Sequence, residues 1–144
     1  MRYNRLYLDD LAEAQGVLFE EVVNKGYDLI DFVNKYMCTR IKKLMDEGSP
    51  KHCTMYHYDI FDELEKCDFK YKKAMMRYDP WAANWIGEFY ARLQWETGVY
   101  SSFVLKCVPI TTILTHYNVL HDLDMSLAVN RYVPYVSKGE GFDV

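Results

Sequence analysis

What the chain has little of narrows it first. Seven glycines and four prolines in 144 residues are too few for the many turns of a β-sandwich. No stretch approaches the roughly eighteen consecutive apolar residues of a membrane span. Asp9, Asp10 and Glu13 interrupt residues 1–20, so no apolar block follows a basic start and no signal peptide is expected. The four cysteines, Cys38, Cys53, Cys67 and Cys107, form no C-x-x-C pair, which reads as reduced thiols and a cytoplasmic protein. G-x-S-x-G, a glycine-rich phosphate loop and a cysteine beside a plausible base are all missing, so none of the familiar nucleophile or phosphate motifs applies. A basic surplus is missing too. The formal charge of −4 weighs against nucleic acid as the main partner, leaving only local basic patches around Arg40, Lys42 and Lys43 and around Lys66, Lys70, Lys72, Lys73 and Arg77.

What is present is aromatic and helical. Half of the residues are apolar and 16% are aromatic, with 13 tyrosines, too many for a disordered chain. The expectation is an all-α fold: one compact bundle of five to six helices over residues 1–134, with residues 135–144 as a mobile tail after a stop at Pro134. Asp9 or Asp10 is expected to cap a first helix ending near Asn24, with Leu11, Ala14, Leu18 and Val22 on its apolar face. Gly26 suits a left-handed helix end, and Asp28 opens the next helix, with a break near 37–39. Ser101 or Ser102 is expected to cap a short helix, and Pro109 to break the chain.

The rest is organised around residues 81–97. Asp79-Pro80 is a strong helix start, Asp as cap and Pro where a missing amide costs nothing. Trp81, Trp85, Phe89 and Leu93 recur at helical spacing and make an aromatic stripe. Asn84, Gly87, Ala91 and Gln94 make a second face, small enough for another helix to approach closely. Trp81, Trp85, Phe89, Gln94 and Trp95 are therefore core residues of a central helix.

Chemistry is sparse. His52, Cys53 and His57 include one pair a helical turn apart, but a structural zinc site needs four ligands, so no metal and no cofactor are expected. His121-Asp122-Leu123-Asp124 has two readings, an acid–base pair or residues capping the last helix; capping is the simpler one, and no catalytic residue is assigned. Tyr3, Tyr7, Tyr56, Tyr58, Tyr71, Tyr78, Tyr132 and Tyr135 fall near expected ends and loops, and tyrosine is enriched at interfaces because it joins area to a polar tip. Tyr117, His121, Asp122, Asp124, Tyr132 and Tyr135 are the candidate binding residues.

Four pieces, G-Y-D-x3-F at 26–32, G-S-P-K at 48–51, W-I-G-x-F-Y-x3-Q-W at 85–95 and Y-N-x-L-H-D-L-D at 117–124, come in a familiar order. It resembles small helical bacterial proteins of unassigned function encoded beside ADP-ribosyltransferase-like toxins and short antitoxin-like partners. The resemblance spans most of residues 17–130 and brings no catalytic residues. It implies a non-enzymatic antitoxin, immunity or accessory protein whose partner is a toxin; the lack of an apolar span and the acidic charge separately predict no membrane and disfavour nucleic acid. The alternative is a small cytoplasmic enzyme or ligand-binding domain whose pocket is lined by Tyr117, His121, Asp122 and Gln94.

Overall fold

The computed structural model describes residues 2–142, with side chains through residue 137. Among these there are nine α-helices: α1 Leu8–Asn24, α2 Leu29–Tyr36, α3 Arg40–Asp46, α4 Pro50–Cys53, α5 His57–Lys66, α6 Pro80–Thr97, α7 Ser101–Cys107, α8 Ile110–Leu120 and α9 Met125–Phe142. The class is all-α, as the sequence leads one to expect, but the helices outnumber five to six. The expected second helix divides at Thr39, whose hydroxyl accepts from the Lys42 amide and starts α3 afresh. Pro50 begins α4, a helix the sequence reading does not anticipate. No single described helix is long and apolar enough to cross a membrane; α7 and α8 would be so only together, and they are bent by 74°.

The core is an antiparallel pair, α1 against α6. Gln15 Nε2 donates to the Gly87 carbonyl at 2.8 Å, Asn84 Nδ2 to Glu20 Oε1 at 2.9 Å, and Arg92 to Asp9 at 3.1 Å. Rising numbers on one helix thus meet falling numbers on the other. The glycines set the distance. A Cβ on Gly87 would lie 2.5 Å from the Gln15 carbonyl oxygen, and one on Gly16 would lie 2.9 Å from that of Asn84. The small and amide face of α6 is where α1 seats, and the sequence names most of it. Gln94 instead turns to the far end of the helix and donates to the Val99 carbonyl at 2.9 Å.

Local signals hold in several places. Asp28 Oδ1 accepts from the Asp31 amide at 2.8 Å, Asp79 Oδ1 from the Trp81 amide at 3.0 Å, and Gly26 and Gly98 take positive φ at the ends of α1 and α6. Others are corrected. Tyr7, not Asp9 or Asp10, occupies the cap of α1, and both aspartates fall in the first turn, where their charge still meets the helix dipole. Neither serine caps α7: its amide donor at Ser101 goes to Asp46. Trp81 is not a core residue; it is 79% exposed. It sits on the same stripe as Trp85 and Phe89, but at the first turn, where no described ring reaches it. Phe89, Gln94 and Trp95 are buried and Trp85 half-buried against the core. The expected stop at Pro134 does not occur, since α9 runs through it to Phe142. Pro134 has no amide for the Asn130 carbonyl, and both residues face solvent, where water can take the freed oxygen. Of the expected tail, residues 143–144 lie outside the described residues.

Candidate functional site

Three constellations stand out. The first is a row of rings across α8, α6 and α9. Trp85 and Phe89, one turn apart on α6, stack at 5.2 Å. Tyr117 of α8 meets Trp85 edge-on at 5.7 Å, and His121 stacks on Tyr117 at 4.7 Å. On the other side Tyr132 of α9 meets Phe89 edge-on at 5.7 Å, with Tyr135 a further 5.7 Å away. Four of the expected binding residues are therefore two ends of one row whose middle is the core helix. Burial raises the Tyr117 hydroxyl pKa first, with the Asp79 and Asp122 carboxylates adding to it; burial does the same at Tyr132. Both remain protonated phenols at neutral pH.

The His121–Asp124 turn is local in its bonding. His121 Nδ1–H donates to the Tyr117 carbonyl at 2.8 Å, and Nε2 lies 3.4 Å from Asp122 Oδ1. The Asp124 carbonyl accepts from the amides of Leu127 and Ala128 as α9 starts, and its carboxylate accepts from the Ser126 hydroxyl. Gln94 lies nine residues beyond Trp85, roughly 13 Å along the helix, so it does not join Tyr117, His121 and Asp122 around one pocket.

The second constellation is the segment between α5 and α6. Tyr71 pins it down, stacking on Tyr27 at 4.5 Å and on Phe32 at 6.0 Å, while a single antiparallel bridge joins Lys73 to Tyr27. Tyr78 anchors its far end by donating to Asp28 Oδ2 at 3.0 Å; burial first, then that carboxylate, pushes its phenol pKa up to about 12. Between the anchors a ridge stands clear of the body: Met75 is 87% exposed and Met76 60%. A groove of about 570 Å³ with Val23 and Tyr27 on its walls lies on one side. Another of about 410 Å³, walled by Ile30, Ala82, Leu114 and Tyr117, lies on the other. The sequence marks this segment only as a local basic patch. Its signal is KYKKAMMRYDPW, in which paired cations and a single arginine bracket two adjacent methionines.

The third is buried. Lys42 is fully enclosed, its Nζ 3.8 Å from Asp46 Oδ1 and without a hydrogen-bond partner. Asp46 also accepts from the Ser101 amide at 2.7 Å and hydroxyl at 2.9 Å, so one carboxylate joins α3 to the start of α7. Burial lowers the Lys42 pKa, with Asp46 opposing, and raises that of Asp46, with Lys42 and Ser101 opposing. Burial also pushes the neighbouring Cys53 thiol up to about 11, so it is not a ready nucleophile. Sequence reading places Lys42 in a surface basic patch. Its spacing from Ile41 and Met45 does not reveal that its side chain is fully buried.

His52, Cys53 and His57 do not converge. His52 bonds Ser49, Cys53 donates to the Met45 carbonyl, and His57 packs on Tyr58. No group of three potential ligands is placed to hold a metal ion among the described residues. The loop tyrosines divide: Tyr56, Tyr58 and Tyr135 are exposed, Tyr7, Tyr71 and Tyr132 half-buried, and Tyr3 and Tyr78 buried. Comparison with family models, curated proteins and solved structures finds no match to this chain.

Proposed function

We propose that the chain is a non-enzymatic protein-binding module, an antitoxin, immunity or accessory protein whose partner is a toxin. The observation that carries the binding reading is the exposure of Met75, Met76 and Trp81 together on a fold that encloses most of its other large apolar residues. Large exposed apolar groups beside grooves mark interaction sites rather than idle surface. The toxin as partner comes from the resemblance of the motifs at 26–32, 48–51, 85–95 and 117–124. The test is co-expression with the product of the adjacent gene. A stable complex on gel filtration and relief of growth arrest are expected; a product that neither binds nor is neutralised overturns the reading.

One observation favours a second reading, a small-ligand domain. The groove of about 410 Å³ has Tyr117 on its wall and Asp79 at its rim, a size within the usual range for ligand pockets. A metabolite panel read by thermal shift decides it: a stabilising compound whose effect Tyr117→Ala abolishes supports the second reading, and a flat panel removes it.

A further inference from the structure

We infer that the ridge of residues 72–77, with Trp81 beside it, is the docking site for an acidic segment of a partner protein carrying apolar side chains. The inference rests on the reading of the chain as a protein-binding module and names the surface and the chemistry of what it takes.

Charge is the first argument. The chain as a whole is acidic, at −4, yet Lys72, Lys73 and Arg77 lie within six residues of one another. None of the three has a carboxylate partner among the described residues, whereas Lys66 pairs with Glu63 and Lys70 with Asp68. Of the carboxylates near the segment, Glu65 is close enough to act on the Tyr71 phenol but pairs with none of the three, and the others are bonded elsewhere. Asp79 accepts from the Trp81 amide, Asp28 from the Asp31 amide and the Tyr78 hydroxyl, and Asp31 pairs with Lys35. Three cations are thus left without a direct ion-pair partner, and a partner's acidic groups are the complement they lack.

Shape and side-chain type are the second. The cations flank Met75 and Met76, and methionine is the flexible, polarisable side chain that repacks around a partner's apolar groups. Trp81 adds a large rigid anchor of the kind that dominates interface energies. Both flanks of the ridge are concave, and Met76, Arg77 and Tyr78 line the two grooves in common. A partner's side chains can enter the grooves on either side while its carboxylates meet Lys72, Lys73 and Arg77. A flat bilayer would touch the ridge and leave both grooves empty. A nucleic acid would bring a dense line of phosphates to three cations on an otherwise acidic protein.

Fluorescence anisotropy with the whole chain tests this, using a short labelled peptide that alternates glutamate with leucine. Binding is expected at low ionic strength and should weaken about tenfold or more at ~0.5 M salt, as exposed charges are screened. The variant Lys72→Glu/Lys73→Glu/Arg77→Glu should lose about tenfold or more in affinity, and Met75→Ser/Met76→Ser/Trp81→Ser a comparable factor, with circular dichroism unchanged because all six side chains are exposed. Peptides alternating lysine with leucine, or of glutamate alone, should bind far more weakly. Equal binding by parent and variants overturns the site, as does preference for phosphatidylglycerol vesicles or for an oligothymidylate. If a co-expressed partner is captured and both variants leave its complex intact, this site fails while the binding-module reading stands. If no partner binds, that reading fails and the peptide titration still decides whether the surface takes acidic segments.

Discussion

The amine of Lys42 has lost its water and faces a single carboxylate 3.8 Å away. Such a pair is weak as a source of stability but costly to break, about 3 to 5 kcal/mol when one member is left alone. The two ways of breaking it should differ in their pH dependence. In Lys42→Met, Asp46 loses its opposing charge, and its already raised pKa rises further. A carboxylate with a folded pKa above its unfolded one supplies stability at low pH that is lost as pH rises through the folded value, so this variant weakens from about pH 4 upward. In Asp46→Asn the lone amine titrates lower still. A lowered lysine supplies stability at high pH that is lost as pH falls from about 10 toward the folded value, so this variant weakens in the opposite direction. Denaturant midpoints across pH check both slopes. The double variant, which keeps an acceptor for Ser101, should recover much of either loss; additive losses would contradict the pairing.

At the scale of elements, the α1–α6 contact depends on two missing side chains. Gly87→Ala puts a methyl against the backbone of residues 15 and 16, with the Gln15 oxygen at 2.5 Å. Backbone cannot rotate away as a side-chain tip can, so the helices must separate and the Gln15–Gly87 bond must stretch. A loss of about 1 to 3 kcal/mol is expected, the usual cost of overpacking, read as a lower urea midpoint at unchanged helical content. An unchanged midpoint would mean that α1 slides freely on α6. The sequence shows this face because Asn84, Gly87 and Ala91 recur at helical steps. The same periodicity misplaces Trp81, since a stripe says which way a residue points and not whether a neighbour extends that far. Pro134 misleads for a related reason: proline stops a helix only where the freed carbonyl has nowhere to go. Thr39, Asp28 and Asp79 are legible because a cap is a contact within a few residues. Lys42 is not, because the carboxylate it faces is held by Ser101, 55 positions beyond Asp46 in sequence.

Over the whole molecule, the three tryptophans occupy three different environments: Trp95 buried with its Nε1–H donating to the Tyr3 carbonyl, Trp85 within the ring row, and Trp81 in solvent. Trp81→Phe should therefore remove most of the fluorescence that acrylamide quenches readily while shifting stability by less than about 0.5 kcal/mol. A readily quenched component that survives the substitution would place the exposed indole elsewhere. The aromatic wealth that marks the sequence as interaction-rich is thus divided. Most of the described rings lie within the fold, in one cluster around Phe32 and another along α6, and a minority, with the two methionines, faces outward.

The antiparallel core also sets an order of events during synthesis. Gln15 and Gly87 are 72 residues apart, so α1 leaves the ribosome while its partner helix is still unmade, at roughly 5–20 residues per second an interval of about 4 to 14 seconds. Throughout it the apolar side of α1 has only α2 and α5 to cover it, through contacts such as Phe19 with Phe32 and Tyr36, and the face that seats on α6 stays open. The nascent chain is then a client for whatever shields apolar segments, and its core closes only when α6 has emerged.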